Sequence, residues 1–136
     1  MTTFLTARDL ISAEFNTSWA ARTPVAWNNV QFTPPDHAAW VRFSMLNNFS
    51  SQQNLGSAPN RSFRRQGVVI VQVFVPMDDE TGLEDGDILS EAALSIFEGK
   101  QVSGIWFRDG SIAEVGPDDR WFQYNVSFDF QYDEIK

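Results

Sequence analysis

From Phe122 to Asp133 the chain reads FQYNVSFDFQYD, in which Phe122, Tyr124, Val126, Phe128, Phe130 and Tyr132 alternate strictly with Gln123, Asn125, Ser127, Asp129, Gln131 and Asp133. Successive side chains point to opposite faces of a strand, so this period of two gathers every apolar residue on one face, which no helix does. At about 3.3 Å per residue the segment spans roughly 40 Å, longer than the usual strand of a globular domain. A strand of that length is expected to reach past the sheet it belongs to, and the rest of the chain has to supply its neighbours and a cover for its apolar face.

The neighbours are legible in the same way. GVVIVQVFVPM, residues 67–77, is β-branched on both faces, as expected of a central strand covered on both sides, and Pro76 ends it. From Trp40, the positions Val41, Phe43, Met45 and Phe49 alternate with Arg42, Ser44 and Asn48, with Leu46 an exception on the polar side. A short strand is expected over Val25–Asn28. GIWFRDGSIAEVG, residues 104–116, reads as a hairpin whose tight turn is Asp109–Gly110, and Pro117, Asp118 and Asp119 form another turn.

Two helices cover this sheet. Leu10, Ile11, Phe15 and Trp19 recur at spacings of three and four within residues 5–21, and Pro24 places the helix end near Arg22. The second helix runs over residues 84–99, with Ile88, Leu89, Ala92, Ala93, Ile96 and Phe97 as its apolar stripe. QFTPPDHAA is a turn, since its two prolines lack donors and do not fit inside a sheet. SSQQNLGSAPNRSFRRQ, residues 50–66, is expected to be a long hairpin tip or a mobile polar loop. The order of elements predicts an α+β fold: a mostly antiparallel mixed sheet with two main helices packed on one face, in a single domain over residues 1–136.

Bulk properties narrow the function. Twelve Phe and five Trp give the chain apolar area enough to fold without disulfides, and it has no Cys to form them. The missing cysteines also remove thiolate nucleophiles and cysteine-held zinc, and fit synthesis in a reducing cytoplasm. A net charge of −8 opposes a dedicated nucleic-acid binder. Arg8, Asp9 and Glu14 break up any secretory signal at the start, and the runs Val68–Val71 and Val73–Val75 are far shorter than the roughly 20 residues of a membrane helix. Neither export nor membrane insertion is expected.

Catalytic equipment is sparse. His37 is the sole histidine, in a polar turn beside Asp36, where a solvated role outweighs that of a base. Asp78, Asp79, Glu80, Glu84, Asp85 and Asp87 are dense in carboxylates, but their register does not match a calcium loop. They read as a solvated acidic turn leading into the second helix. No glycine-rich nucleotide fingerprint and no GxSxG elbow occurs. No metal or other cofactor is expected.

One basic constellation exists, Arg61, Arg64 and Arg65 beside Phe63, and on a chain of this net charge it favours a protein interface over single-stranded nucleic acid. Asp78, Asp79 and Glu80 on a neighbouring copy are its natural complement. Trp27 and Trp40 read as anchors fastening the proline-stiffened connection to the sheet and the first helix, each indole N–H finding a partner. The competing reading makes Trp27, Trp40, His37 and Asp36 the walls of a small-ligand pocket.

The order of a helix ending in Trp19, then TPVAWNN, FTPP and WVRFSM, a polar loop, the GVVIVQVFVP strand and the ALSIFEG helix resembles the tail terminator, or tail completion, proteins of long-tailed bacteriophages. The resemblance runs from Leu10 to about Tyr132 and is most specific over Pro24–Arg42. It implies a non-catalytic virion protein of the tail, made in the host cytoplasm. Such a protein assembles as a homo-oligomeric ring, a hexamer, on the end of the tail tube protein. There it stops tube growth and presents a surface to the head-completion or connector protein. DNA then passes through the ring without specific binding. The resemblance carries over no contact positions; from the polar loop with its arginines and from the acidic turn, Arg61, Phe63, Arg64, Arg65, Asp78, Asp79 and Glu80 are the candidate contacts with the neighbouring subunit or tube.

Overall fold

A computed structural model describes residues 2–77 and 82–136. Its elements are α1 (Phe4–Trp19), β1 (Val25–Ala26), β2 (Trp40–Gln52), β3 (Ser62–Pro76), α2 (Gly82–Phe97), β4 (Gln101–Val102), β5 (Ile105–Asp118) and β6 (Trp121–Ile135). The strands form one sheet in the order β1-β2-β3-β6-β5-β4. Every pairing is antiparallel except β1 with β2, and both helices share one core with the same sheet face. The α+β expectation holds.

β6 carries the alternation seen in the sequence, and Tyr124, Val126, Phe128, Phe130 and Tyr132 are all buried toward the helices. It does not outrun its sheet, because β3 is equally long and pairs with it from Pro76 opposite Trp121 to Ser62 opposite Ile135. Together they extend beyond the helix layer. On β3 the helices cover Val69, Val71, Val73 and Val75, while Val68, Ile70 and Gln72 on the other face stay half-buried. β3 is therefore central in the sheet without being covered on both faces. Among the described residues the helix-free face gains a roof only at one end, where Ala26, Trp40, Phe74 and Trp121 form a second buried cluster under Phe32.

Further expectations are corrected. The segment over residues 50–66 is the tip of the β2–β3 hairpin rather than a loop throughout, since β2 runs to Gln52 and β3 starts at Ser62, which leaves only 53–61 outside the strands. Its polar residues sit where the sheet has outgrown the helices, so strand pairing there does not require apolar side chains. Phe49 is not a core residue but 58% exposed, because a bulge between Asn47 and Phe49 inserts one residue and reverses the facing. Asp109–Gly110 is likewise a bulge within the continuous strand β5, with Asp109 at φ 56°. The tight turns are instead Ser103–Gly104 (φ 47° and 85°) and Asp119–Arg120.

On α2 the expected stripe holds at Ala93, Ile96 and Phe97, with Leu89 and Ala92 packed against the core, but Ile88 is exposed and Gly82, Gly86 and Ser90 are buried in addition. These small residues face the sheet because Tyr124 stands directly beneath. A Cβ on Gly86 would lie 2.8 Å from the Tyr124 Cζ, 2.9 Å from its hydroxyl oxygen and closer still to Cε2. α1 starts with Thr3, whose hydroxyl accepts from the Thr6 N–H at 3.3 Å while the Thr6 hydroxyl accepts from the Thr3 N–H at 2.6 Å. It stops at Trp19, ahead of the expected end near Arg22, because Ala20 and Ala21 turn left-handed at φ 54° and 56°.

Candidate functional site

Where β3 and β6 run past the helices, the four basic-stretch residues are brought together with the end of β6. Arg64 grips Asp133 with two hydrogen bonds, Nε to Oδ1 at 3.0 Å and Nη2 to Oδ2 at 3.2 Å. That hydrogen bond, reinforced by the carboxylate's charge, holds the Arg64 guanidinium above its ordinary pKa. Arg65 donates to Glu134 Oε2 at 3.3 and 3.1 Å, and Lys136 Nζ lies 3.9 Å from the other oxygen of Glu134. Arg61 Nε donates to the Lys136 carbonyl at 3.1 Å. Phe63 sits inside this group with Arg61, Arg65 and Lys136 at 5.8, 5.3 and 5.6 Å from its ring centre.

Four cations thus face two carboxylates, so Arg64 and Arg65 are substantially neutralised within their own chain. The alternating strand supplied those acids, a pairing that the sequence alone did not reveal. Phe63, ringed by cations, does not offer the open face that stacking with a base needs. Asp78, Asp79 and Glu80, the expected acidic complement, lie outside the described residues.

The same end of the molecule collects exposed apolar side chains: Phe4, Leu5, Leu46, Phe49, Leu55, Trp106 and Ile135. A groove of about 720 Å³ opens there between the first turn of α1 and the far end of β2, with Phe4, Leu5 and Phe49 on its walls and Arg65 and Glu134 at its side. Asn47 also lines it, and both its amide nitrogen and oxygen are buried without a hydrogen-bond partner among the described residues. Sequence reasoning gave Phe4, Leu5, Asn47 and Leu55 no role and placed Phe49 on the core face. The available signal was the Asn47–Asn48 pair, which interrupts the alternation of β2.

The ligand-pocket residues do not converge. Trp27 packs among Phe15 and Phe43 on the helix side, with ring centres 6.0 and 5.4 Å away. Trp40 stacks on Phe74 at 4.2 Å and meets Trp121 at 6.0 Å on the helix-free side. The two tryptophans therefore pin the proline-rich connection to opposite faces of the sheet. The Trp40 indole nitrogen is buried without a partner among the described residues, contrary to the expectation that each indole would find one. His37 and Asp36 are both exposed. Among the described residues no three His, Asp or Glu side chains stand close enough to hold a metal ion. Burial, helped by Asp87 and Glu114, pushes the Tyr124 hydroxyl up to about 12, and burial also raises Tyr132.

A family model described as phage tail terminator protein matches residues 6–127. No curated protein gives a significant match. One solved structure, 22% identical, superposes with a TM-score of 0.65 over 92% of this chain and 94% of that one, a likeness of fold.

Proposed function

The chain belongs to the phage tail terminator family, and from that premise we propose that it caps the tail tube as a ring. Membership makes it a structural component of the virion tail that works through contacts with other tail and head proteins. In our reading six copies close on the end of the growing tube, stop its polymerisation and present the surface that the head-completion protein meets. No catalytic step is involved, and DNA passes through the ring unbound. The chain's charge of −8 suits that passage.

The observation that carries this reading is the family match itself, which starts inside α1 and ends inside β6. The sheet's edges support it. β1 covers β2 only at Val41 and Arg42, and β4 covers β5 only at Ile105 and Trp106, so both flanks end in long strands with few partners among the described residues. Two different edges on one chain suit a head-to-tail contact that repeats around an axis and closes. Arg61, Phe63, Arg64 and Arg65, with Asp78, Asp79 and Glu80 opposite them, are the residues we place at the subunit or tube contact.

The test is the mass of the purified chain alone and on tail tubes, together with its position on particles seen by electron microscopy. Six copies at one tube end, and overlong tails when the chain is absent, are expected. Tails of normal length without it, and a chain that neither self-associates nor binds tubes, would refute the proposal.

A further inference from the structure

Leu55 is 99% exposed, yet the loop that shows it is tied down. The loop base is closed by the Gln53 N–H donating to the Ser62 carbonyl at 2.8 Å. Beside Leu55, the Asn54 side-chain oxygen accepts from the Gly56 N–H at 3.3 Å and from the Ser62 N–H at 3.2 Å. A fully solvated leucine held in place on both sides is an anchor with its ordering entropy already spent. The groove beside α1 is the converse: apolar walls from Phe4, Leu5 and Phe49 around the Asn47 amide, whose donor and acceptor both lack partners. Buried polar groups in native structures nearly always find partners, and one free donor with one free acceptor is what a passing peptide unit satisfies. The stretch Gln53–Asn60 carries no charge, so it meets neither repulsion nor unpaired ions beside Arg65 and Glu134.

We propose that Leu55 of one copy seats in the α1–β2 groove of the next copy, and that the Asn47 side chain, its amide atoms buried and without partners in the single chain, turns toward the groove to hydrogen-bond the incoming loop backbone. Knob and socket are different patches of one chain, so the contact is head-to-tail and propagates from copy to copy. The inference rests on the ring reading and specifies its interface.

The chain's lack of cysteine makes the test direct. A Leu55→Cys variant is mixed on tail tubes with Leu5→Cys, Phe4→Cys or Phe49→Cys and oxidised, with Ile88→Cys on the outer face of α2 as the control socket. A disulfide-linked dimer is expected with at least one groove variant and not with Ile88→Cys, since bridged Cα atoms must come within about 7 Å. Leu55→Asp should weaken assembly on the order of tenfold to a hundredfold, the effect of losing an interface anchor, with an unchanged circular dichroism spectrum and melting temperature. Asn47→Leu should raise the melting temperature of the unassembled chain while weakening assembly, a pair of effects that a purely structural asparagine would not give. Rings of normal mass with no groove crosslink, equal crosslinking to Ile88→Cys, or a crosslink from Leu55→Cys to the tube protein instead would overturn the docking and leave the ring standing. A chain that stays monomeric on tubes would overturn both.

Discussion

Replacing Gly86 by Ala is the sharpest test of how α2 is seated. In an exposed helix interior this change stabilises by about 1 kcal/mol, because glycine loses more backbone freedom on folding. Here the added Cβ would fall 2.8 Å from the Tyr124 Cζ and 2.9 Å from its hydroxyl oxygen. That hydroxyl also donates to the Leu83 carbonyl at 3.3 Å, so the ring is held from above and from within the core. Overpacking of this kind costs about 3 kcal/mol at the upper end of its usual range, and losing the hydrogen bond adds about 1. After the helix gain is subtracted, a net loss of about 3 kcal/mol remains. Urea unfolding followed by tryptophan fluorescence and circular dichroism reads it as a lower midpoint at unchanged slope. In a Tyr124→Leu background, where the ring is gone, the same substitution should be neutral or stabilising by up to about 1 kcal/mol. An increase in stability in the wild-type background would refute the close approach of α2 to Tyr124.

Other expectations follow from the same geometry. Tyr124 holds its proton to about pH 12 in the fold and to about 10 when unfolded. Stability from this group is therefore complete below pH 10 and lost as pH rises toward 12, on the order of 2 to 3 kcal/mol, and Tyr124→Phe should flatten that decline in pH-dependent urea melts. Arg65→Leu leaves Glu134, whose side chain is only 12% exposed, to the more distant Lys136 at 3.9 Å and should cost about 2 kcal/mol by chemical unfolding, whereas Arg64→Ala at the more exposed Asp133 pair should cost distinctly less. Ala20→Gly should raise the thermal midpoint, because relief of the left-handed conformation, about 1 to 2 kcal/mol, exceeds the added freedom of the unfolded glycine.

The sheet was readable wherever a buried face imposes period two, as in β6 and the first half of β2. It ceased to be readable where that face runs out. Gln52 and Ser62–Gln66 are strand because the backbones of β2, β3 and β6 pair there, and backbone pairing leaves no mark on side-chain polarity. Bulges defeat the pattern from the other direction: one inserted residue at Asn48 turned Phe49 outward, and the bulge at Asp109–Gly110 looked like a turn because both need a positive φ. On α2 the apolar stripe named the right face from Leu89 to Phe97 but missed its first turns, where Ile88 is exposed and Gly86 is buried because Tyr124 leaves no room for a larger side chain.

The basic stretch shows why residue type alone does not locate a contact. Arg64 and Arg65 look free in the sequence because their acids lie 69 residues away, on a strand whose polar residues seemed to be only its solvent face. Once Asp133 and Glu134 have taken them up, little electrostatic attraction is left for a second chain, since half-exposed ion pairs are worth at most about 1 kcal/mol and are screened by salt. The apolar side chains at that end have no such internal use: Leu55 buries nothing in its own chain, and Phe49 and Leu5 stand open beside an amide without a partner. Assembly driven from this end should therefore depend only weakly on salt and strongly on Leu55. Raising the ionic strength from 0.05 to 0.5 M, roughly a threefold drop in the Debye length, is expected to change the assembly constant less than Leu55→Asp does. A steep loss with salt alone would return the burden of the contact to the arginines.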